Sequence, residues 1–95
     1  MNKNFFMLPN DIFKFKLKPR DFTVLACLIK HSNNDCICFP SYRTIAKECS
    51  ISEKTVGQAL KVLSKKRLIE ITNRSRDDGS KSSNLYHIIQ LNVKK

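Results

Sequence analysis

The sequence has 95 residues, 41% hydrophobic and 27% charged, which excludes a disordered chain and predicts one globular domain over residues 1–95. No stretch is apolar for long enough to cross a membrane, and the N-terminus lacks the features of a signal peptide, so we expect a cytoplasmic protein. Eighteen Lys and Arg against eight Asp and Glu give a net charge of +10, which favours nucleic acid over a membrane surface as partner.

Two helices are predicted in the first third of the chain. Pro-Asn-Asp at residues 9–11 signals a turn or a helix start, and "DIFKF" could form a short helix. Pro19 suits the first turn of a firmer helix, in which Asp21 is well placed for the helix dipole. Its apolar residues between 22 and 29 recur at helical spacing. We expect His31, at the end of this helix, to be a surface residue.

Two further helices are predicted on either side of a tight break. A short strand, "CICFP" at 36–40, is stopped by its proline. Ser41 then caps a helix over 42–49, and after the break Ser52 caps a longer helix that reaches about Lys66. Two β-rich runs follow at 67–73 and 84–91, and the Asp-Gly turn signal between them predicts a hairpin. The strand near residue 36 could join that hairpin as a third strand, which gives an α+β fold.

The cysteines and histidines do not form a catalytic or metal-binding pattern in the sequence. Zinc sites usually have two cysteines separated by two to four intervening residues, together with a second such pair or two histidines. Here only Cys36 and Cys38 are close, and a strand would point both thiols the same way. We therefore expect structural or incidental thiols, with metal or redox sensing as the open alternative. No enzyme, metal site, cofactor or small-molecule ligand is predicted. The four cysteines are Cys27, Cys36, Cys38 and Cys49.

Three segments together carry a resemblance to a known family. They are "FFMLPNDIF", "FPSYRTIAKECSISEKTVGQALKVLSKKRLI" and "NLYHI". They resemble winged helix-turn-helix proteins, in particular small phage, plasmid and mobile-element proteins that include replication initiators and the N-terminal domains of replisome organisers. The resemblance covers nearly the whole chain. It implies three to four helices with a two- or three-stranded antiparallel sheet or wing.

The helix-turn-helix pattern is kept at some positions and broken at others. Ala46 takes the place of the small residue that lets the two helices touch, and Val56 takes that of the branched residue between them. Ser50 and Arg67 stand at two places where glycine is usual. If Ser50 adopts a left-handed conformation, the cost is about 1 to 2 kcal/mol. A glycine there is then expected to stabilise the fold.

The resemblance implies double-stranded DNA binding through a recognition helix at about 52–66 and a wing at about 72–84. Spacings of four, three and four residues place Lys54, Gln58, Lys61 and Lys65 on one stripe of the helix. For Gly57, close approach to DNA and packing against a neighbour both stay open. The residues that the pattern turns toward bases are Ser52, Glu53, Lys54, Gly57, Gln58 and Lys61. Arg43 is expected at phosphates. The wing residues expected at phosphates or the minor groove are Arg74, Arg76 and Lys81.

The resulting functional hypothesis is a transcriptional regulator of a mobile element. One alternative is a replication-initiation or partition protein that binds repeated sites through the same face. A second alternative, from another class, is a winged helix that serves only as a protein-interaction module. Recognition of paired half-sites would call for a homodimer, and the sequence leaves the oligomeric state open.

Overall fold

The computed structural model describes residues 6–72 and 84–91. A short 3₁₀ helix, Ile12–Phe15, replaces the first predicted helix and precedes α1, Pro19–His31. The remaining elements are β1 (Ile37–Cys38), α2 (Tyr42–Cys49), α3 (Glu53–Lys65), β2 (Ile69–Thr72) and β3 (Leu85–Ile88). The three strands form one antiparallel sheet in the order β1-β3-β2. The predicted α+β class and its third strand are thus confirmed. Within the described segments, every helix is too short or too polar to cross a membrane.

Serine caps begin α2 and α3, as the sequence predicts. The Oγ of Ser41 accepts a hydrogen bond from the backbone N–H of Thr44 at 3.1 Å. The Oγ of Ser52 accepts one from the N–H of Thr55, also at 3.1 Å. Each bond satisfies an amide that the first turn of a helix leaves without an internal partner. Pro19 stands at the first position of α1, where its missing N–H costs nothing.

The first strand is shorter than its sequence suggests, and one cysteine lies outside it. Cys36 has φ 63° and donates its N–H to the carbonyl of Asn33 at 3.0 Å. The Asn33 side chain also accepts hydrogen bonds from the N–H groups of Asp35 and Ile37. This turn holds Cys36 out of the strand, so the expectation that both cysteines lie on one strand is wrong. Cys38 is buried, whereas Cys36 is half-buried.

The last strand in the sequence is the central strand of the sheet. Tyr86 of β3 pairs with Cys38 of β1 on one side and with Ile71 of β2 on the other. The Tyr86 side chain is completely buried. Burial raises the pKa of its phenol to about 12, so the ring stays neutral across the physiological pH range. β3 therefore joins the sheet to the core beneath the helices.

The core lies between the three helices and one face of the sheet. α3 packs against both α1 and α2 and continues into β2. The apolar face predicted for α3 is confirmed, because its four members are at most 1% exposed; they are Val56, Ala59, Leu60 and Leu63. α2 contributes Ile45 and Ala46 to the same core, and α1 contributes Val24, Leu25, Cys27, Leu28 and Ile29. This packing fixes the orientation of α3, whose other side faces solvent.

Candidate nucleic-acid interface

The turn between α2 and α3 is closed by a left-handed serine. Ser50 has φ 59° and ψ 42°, as expected for the position where the helix-turn-helix pattern usually has glycine. The N–H of Ile51 donates to the carbonyl of Ala46 at 3.0 Å, and this bond satisfies one of the carbonyl groups at the C-terminal end of α2. Arg67, the other residue at a glycine place, is also left-handed, with φ 59°, and follows the end of α3. Both turns have the left-handed backbone conformation that glycine usually adopts at these positions, although neither residue is glycine.

Ser50→Gly should raise the free energy of unfolding by up to about 1 kcal/mol, because it removes most of a left-handed strain of about 1 to 2 kcal/mol while loosening the unfolded chain. Denaturant unfolding measures the change. The matched control is Lys47→Gly, in the right-handed and exposed last turn of α2, which should lower stability by about 1 kcal/mol. A drop in stability for Ser50→Gly would show that the turn needs a serine side chain.

One side of α3 is polar and fully on the surface, opposite its apolar core side. The four members of the predicted stripe are all exposed; they are Lys54, Gln58, Lys61 and Lys65. Ser52 and Glu53, at the start of the helix, are exposed as well. The hydrophobic side of the helix is fully covered, so the stripe is held facing outward. An exposed helix of this kind fits the major groove of DNA, which is about 12 Å wide.

The lysines of this stripe have no acidic partner within residues 6–72 and 84–91. Lys54, Lys61 and Lys65 form no ion pair or hydrogen bond with any side chain there, although Lys14, Arg20 and Lys30 each pair with a carboxylate. A solvated helix face usually mixes charges so that residues three or four apart attract one another. The stripe instead presents three cations that have no acidic partner in the part of the chain that the structure describes, an arrangement that suits contact with an anion.

Arg20 of α1 contacts the stripe, a contact that the sequence did not predict. Its Nη1 donates to Oε1 of Gln58 at 3.2 Å, and its Nε donates to Oδ1 of the buried Asp21 at 3.0 Å. The guanidinium is therefore fixed at one end by Asp21 and reaches the middle of α3 at the other. The two partners are 38 residues apart in the chain, so no local spacing could have revealed the pair.

The first turn of α2 covers Gly57, which favours the packing interpretation of this glycine. A Cβ at Gly57 would lie 3.5 Å from Cε2 of the Tyr42 ring and 4.0 Å from its hydroxyl. These are ordinary van der Waals contacts, so space for alanine exists. Arg43, the next residue of α2, is exposed and free of ion pairs with the described residues. Tyr42 thus brings the start of α2 next to the stripe, with Arg43 beside it.

The predicted wing lies mostly outside the described residues. β2 ends at Thr72 and β3 begins at Leu85, and the two strands pair as an antiparallel hairpin would. The three basic residues predicted to contact DNA from the wing fall between these ends and outside the description; they are Arg74, Arg76 and Lys81.

Comparison with known proteins supports the fold. The chain is similar to NMB1585, a MarR family regulator from Neisseria meningitidis, with 22% identity, a TM-score of 0.56 and coverage of 83% of this chain and 49% of that one. It is also similar to ZitR from Lactococcus lactis, solved as a cysteine-to-serine mutant in complex with DNA, with 22% identity, a TM-score of 0.60 and coverage of 94% and 55%. The chain thus spans about half the length of these structures, and at this identity the likeness is one of the winged-helix fold.

None of the curated proteins compared matches the chain. A family described as "Helix-turn-helix domain" matches residues 16–69, more than half of the sequence. This segment includes α1, both helices that flank the left-handed Ser50 and the start of β2. The chain belongs to this helix-turn-helix domain family.

Proposed function

We propose that the chain binds double-stranded DNA and regulates transcription. In this proposal α3 lies in the major groove and the wing at about 72–84 lies near the adjacent minor groove. The observation that carries the proposal is the exposed stripe on α3, whose lysines have no acidic partner among the described residues and which is held outward by a fully buried opposite side. The net charge of +10 supports a polyanionic partner. The DNA bound to ZitR in its own structure supports the same use of the fold.

Each residue of the interface has a role that its chemistry suits. Lys54 donates to guanine O6 or N7, while Gln58 makes a bidentate contact with adenine and Glu53 accepts from cytosine N4. Lys61 and Lys65 continue the stripe toward phosphates or bases. Ser52 completes the surface turned toward bases, whereas Gly57, also expected there, lies beside the Tyr42 ring. The residues proposed to hold phosphates or the minor groove are Arg43, Arg74, Arg76 and Lys81.

The finer features of the proposal rest on the resemblance found in the sequence. We place the regulator on a mobile element, acting as one domain over residues 1–95 and as a homodimer on paired half-sites. NMB1585, to which the chain is similar, is a MarR family regulator, and this supports a role in transcription. A replication-initiation or partition protein would use the same face on repeated sites, so tandem repeats in the selected DNA would favour that alternative over regulation.

A salt titration tests DNA binding against the protein-interaction alternative. Duplexes are first selected from random DNA, and their affinity is then measured as the salt concentration rises. If six or more phosphates are contacted, affinity should fall about 10³-fold or more between about 50 and 200 mM salt. Failure to select any duplex, or binding that does not respond to salt, would refute the proposal and favour a protein-interaction module.

A further inference from the structure

A cluster of three metal-ligating side chains lies where α1 meets α2, away from the stripe on α3. Cys27 and His31 are one turn apart on α1, and Glu48 comes from the last turn of α2. One sulfur, one ring nitrogen and one carboxylate oxygen from these residues all lie within 4.8 Å of one another. From this geometry we infer that Cys27, His31 and Glu48 form a binding site for zinc or a similar borderline divalent cation.

The distances within the cluster fit a tetrahedral ion. Around zinc with bonds of about 2.0 to 2.3 Å, neighbouring ligand atoms lie about 3.3 to 3.8 Å apart. Here Nε2 of His31 lies 3.1 Å from Oε1 of Glu48, and Sγ of Cys27 lies 3.5 Å from the same oxygen. The third pair, Sγ of Cys27 and Nε2 of His31, lies within 4.8 Å, so side-chain rotations would bring all three atoms around one ion.

The donor set and the burial both suit zinc. A thiolate and an imidazole select zinc and related ions over magnesium or calcium, which prefer oxygen ligands. Three protein ligands leave a fourth position to water, as in open zinc sites. Cys27 is buried, while His31 and Glu48 are exposed, so the ion can enter from solvent and meet the thiol at the inner end of the site.

Binding exchanges bonds that already exist within the cluster. Oε1 of Glu48 now accepts from Cys27, from His31 and from Nζ of Lys30, the last at 3.2 Å. The ion takes the place of the thiol proton of Cys27, which passes to solvent. Lys30 is half-exposed and turns outward into water as the ion arrives. The bound ion would then join the end of α1 to α2, two residues before the left-handed Ser50.

The cluster differs from what the sequence predicts for these residues. By spacing alone, Cys36 and Cys38 are the close pair and no metal site is expected. His31 lies at the surface, as the sequence predicts, and still belongs to the cluster. The fold instead assembles ligands from two helices, with Glu48 17 residues beyond His31. The single helical step from Cys27 to His31 was the one local signal, and it is common among residues with no such role.

The test titrates the full chain with Zn²⁺ against a chromophoric chelator. Co²⁺ serves as a second probe, because its absorption reports a bound thiolate. We expect one ion per chain and a rise in melting temperature with Zn²⁺. Cys27→Ser and Glu48→Gln should each weaken Zn²⁺ binding by about 10-fold or more, and Cys27→Ser should abolish the thiolate band of Co²⁺.

Two matched controls locate the ion. Cys36→Ser changes a cysteine outside the cluster, and His87→Gln does the same for a histidine, so both should keep wild-type affinity. A melting curve without metal checks that each variant folds, and Glu48→Gln, at the surface, carries the test if Cys27→Ser does not fold. Wild-type affinity weaker than about 10 μM, unchanged binding by Glu48→Gln, or loss of binding in Cys36→Ser would overturn the site.

Discussion

The double variant Lys54→Ala/Lys61→Ala should bind its selected duplex at least about 30-fold more weakly than the wild type, since each lost base contact costs about 1 to 3 kcal/mol and about 1.4 kcal/mol is a factor of ten. Both lysines are exposed and lie on the outward side of α3, with no carboxylate partner among the described residues. Removing them therefore breaks no ion pair there and leaves the core intact. Fluorescence anisotropy with a labelled duplex at constant salt measures the change.

The control for this variant removes the same charge elsewhere. Lys14→Ala/Lys66→Ala also lowers the net charge by two, but Lys14 lies in the 3₁₀ helix and Lys66 follows the last residue of α3. Long-range electrostatics alone would weaken DNA binding equally in both double variants. We expect the DNA affinity of the control to fall by less than about 10-fold, which is a small part of the salt-dependent affinity of the wild type. Equal losses in the two variants would remove α3 from the proposed interface.

Leu63→Ala should lower the free energy of unfolding by about 2 to 5 kcal/mol, the range for leucine truncated in a core. Leu63 is fully buried on the core side of α3, the helix that packs against both α1 and α2. Domains of this kind are stable by about 5 to 15 kcal/mol, so the variant loses a large fraction of that margin. Urea unfolding should show a lower midpoint with an unchanged slope.

The neighbouring residue provides the comparison for Leu63. Val62 is half-buried on the same helix. Val62→Ala removes apolar volume but leaves little cavity at this half-buried position, and alanine is a better helix former than valine. We expect its effect to stay within about 1 kcal/mol, closer to that of surface substitutions. If the two variants were equally destabilised, the burial of α3 against the core would be wrong.

The helices and their caps could be predicted because their signals are local. Ser41 and Ser52 are typical capping residues directly before an apolar stripe, and in the structure both cap the helices that follow them. The left-handed conformation considered for Ser50, at a position that glycine usually occupies, is confirmed, whereas that of Arg67, at another such position, was not predicted. The ends of the strands were predicted less accurately, because the turn around Asn33 depends on hydrogen bonds that β-propensity does not take into account.

The contacts between elements could not be predicted from one sequence. Arg20 and Gln58 meet because α1 packs against α3, and their meeting depends on the crossing of the two helices. The same holds for Glu48, which reaches Cys27 and His31 from another helix. Helical spacing correctly placed Lys54, Gln58 and Lys61 on one exposed side, because periodicity indicates which residues share a face of a helix. It does not indicate which other helix packs against that face.

The central position of β3 has a consequence for the order of synthesis. β1 and β2 both pair with β3, the last of the described strands, so the sheet cannot begin to form until the ribosome has made residues 85–88. Until then the three helices emerge with one side of their core uncovered, while β1 and β2 have unpaired N–H and C=O groups. Such edges and apolar surfaces promote aggregation of nascent chains. A chain that stalls on the ribosome before Leu85 would therefore have α1, α2 and α3 made without the sheet that packs against them.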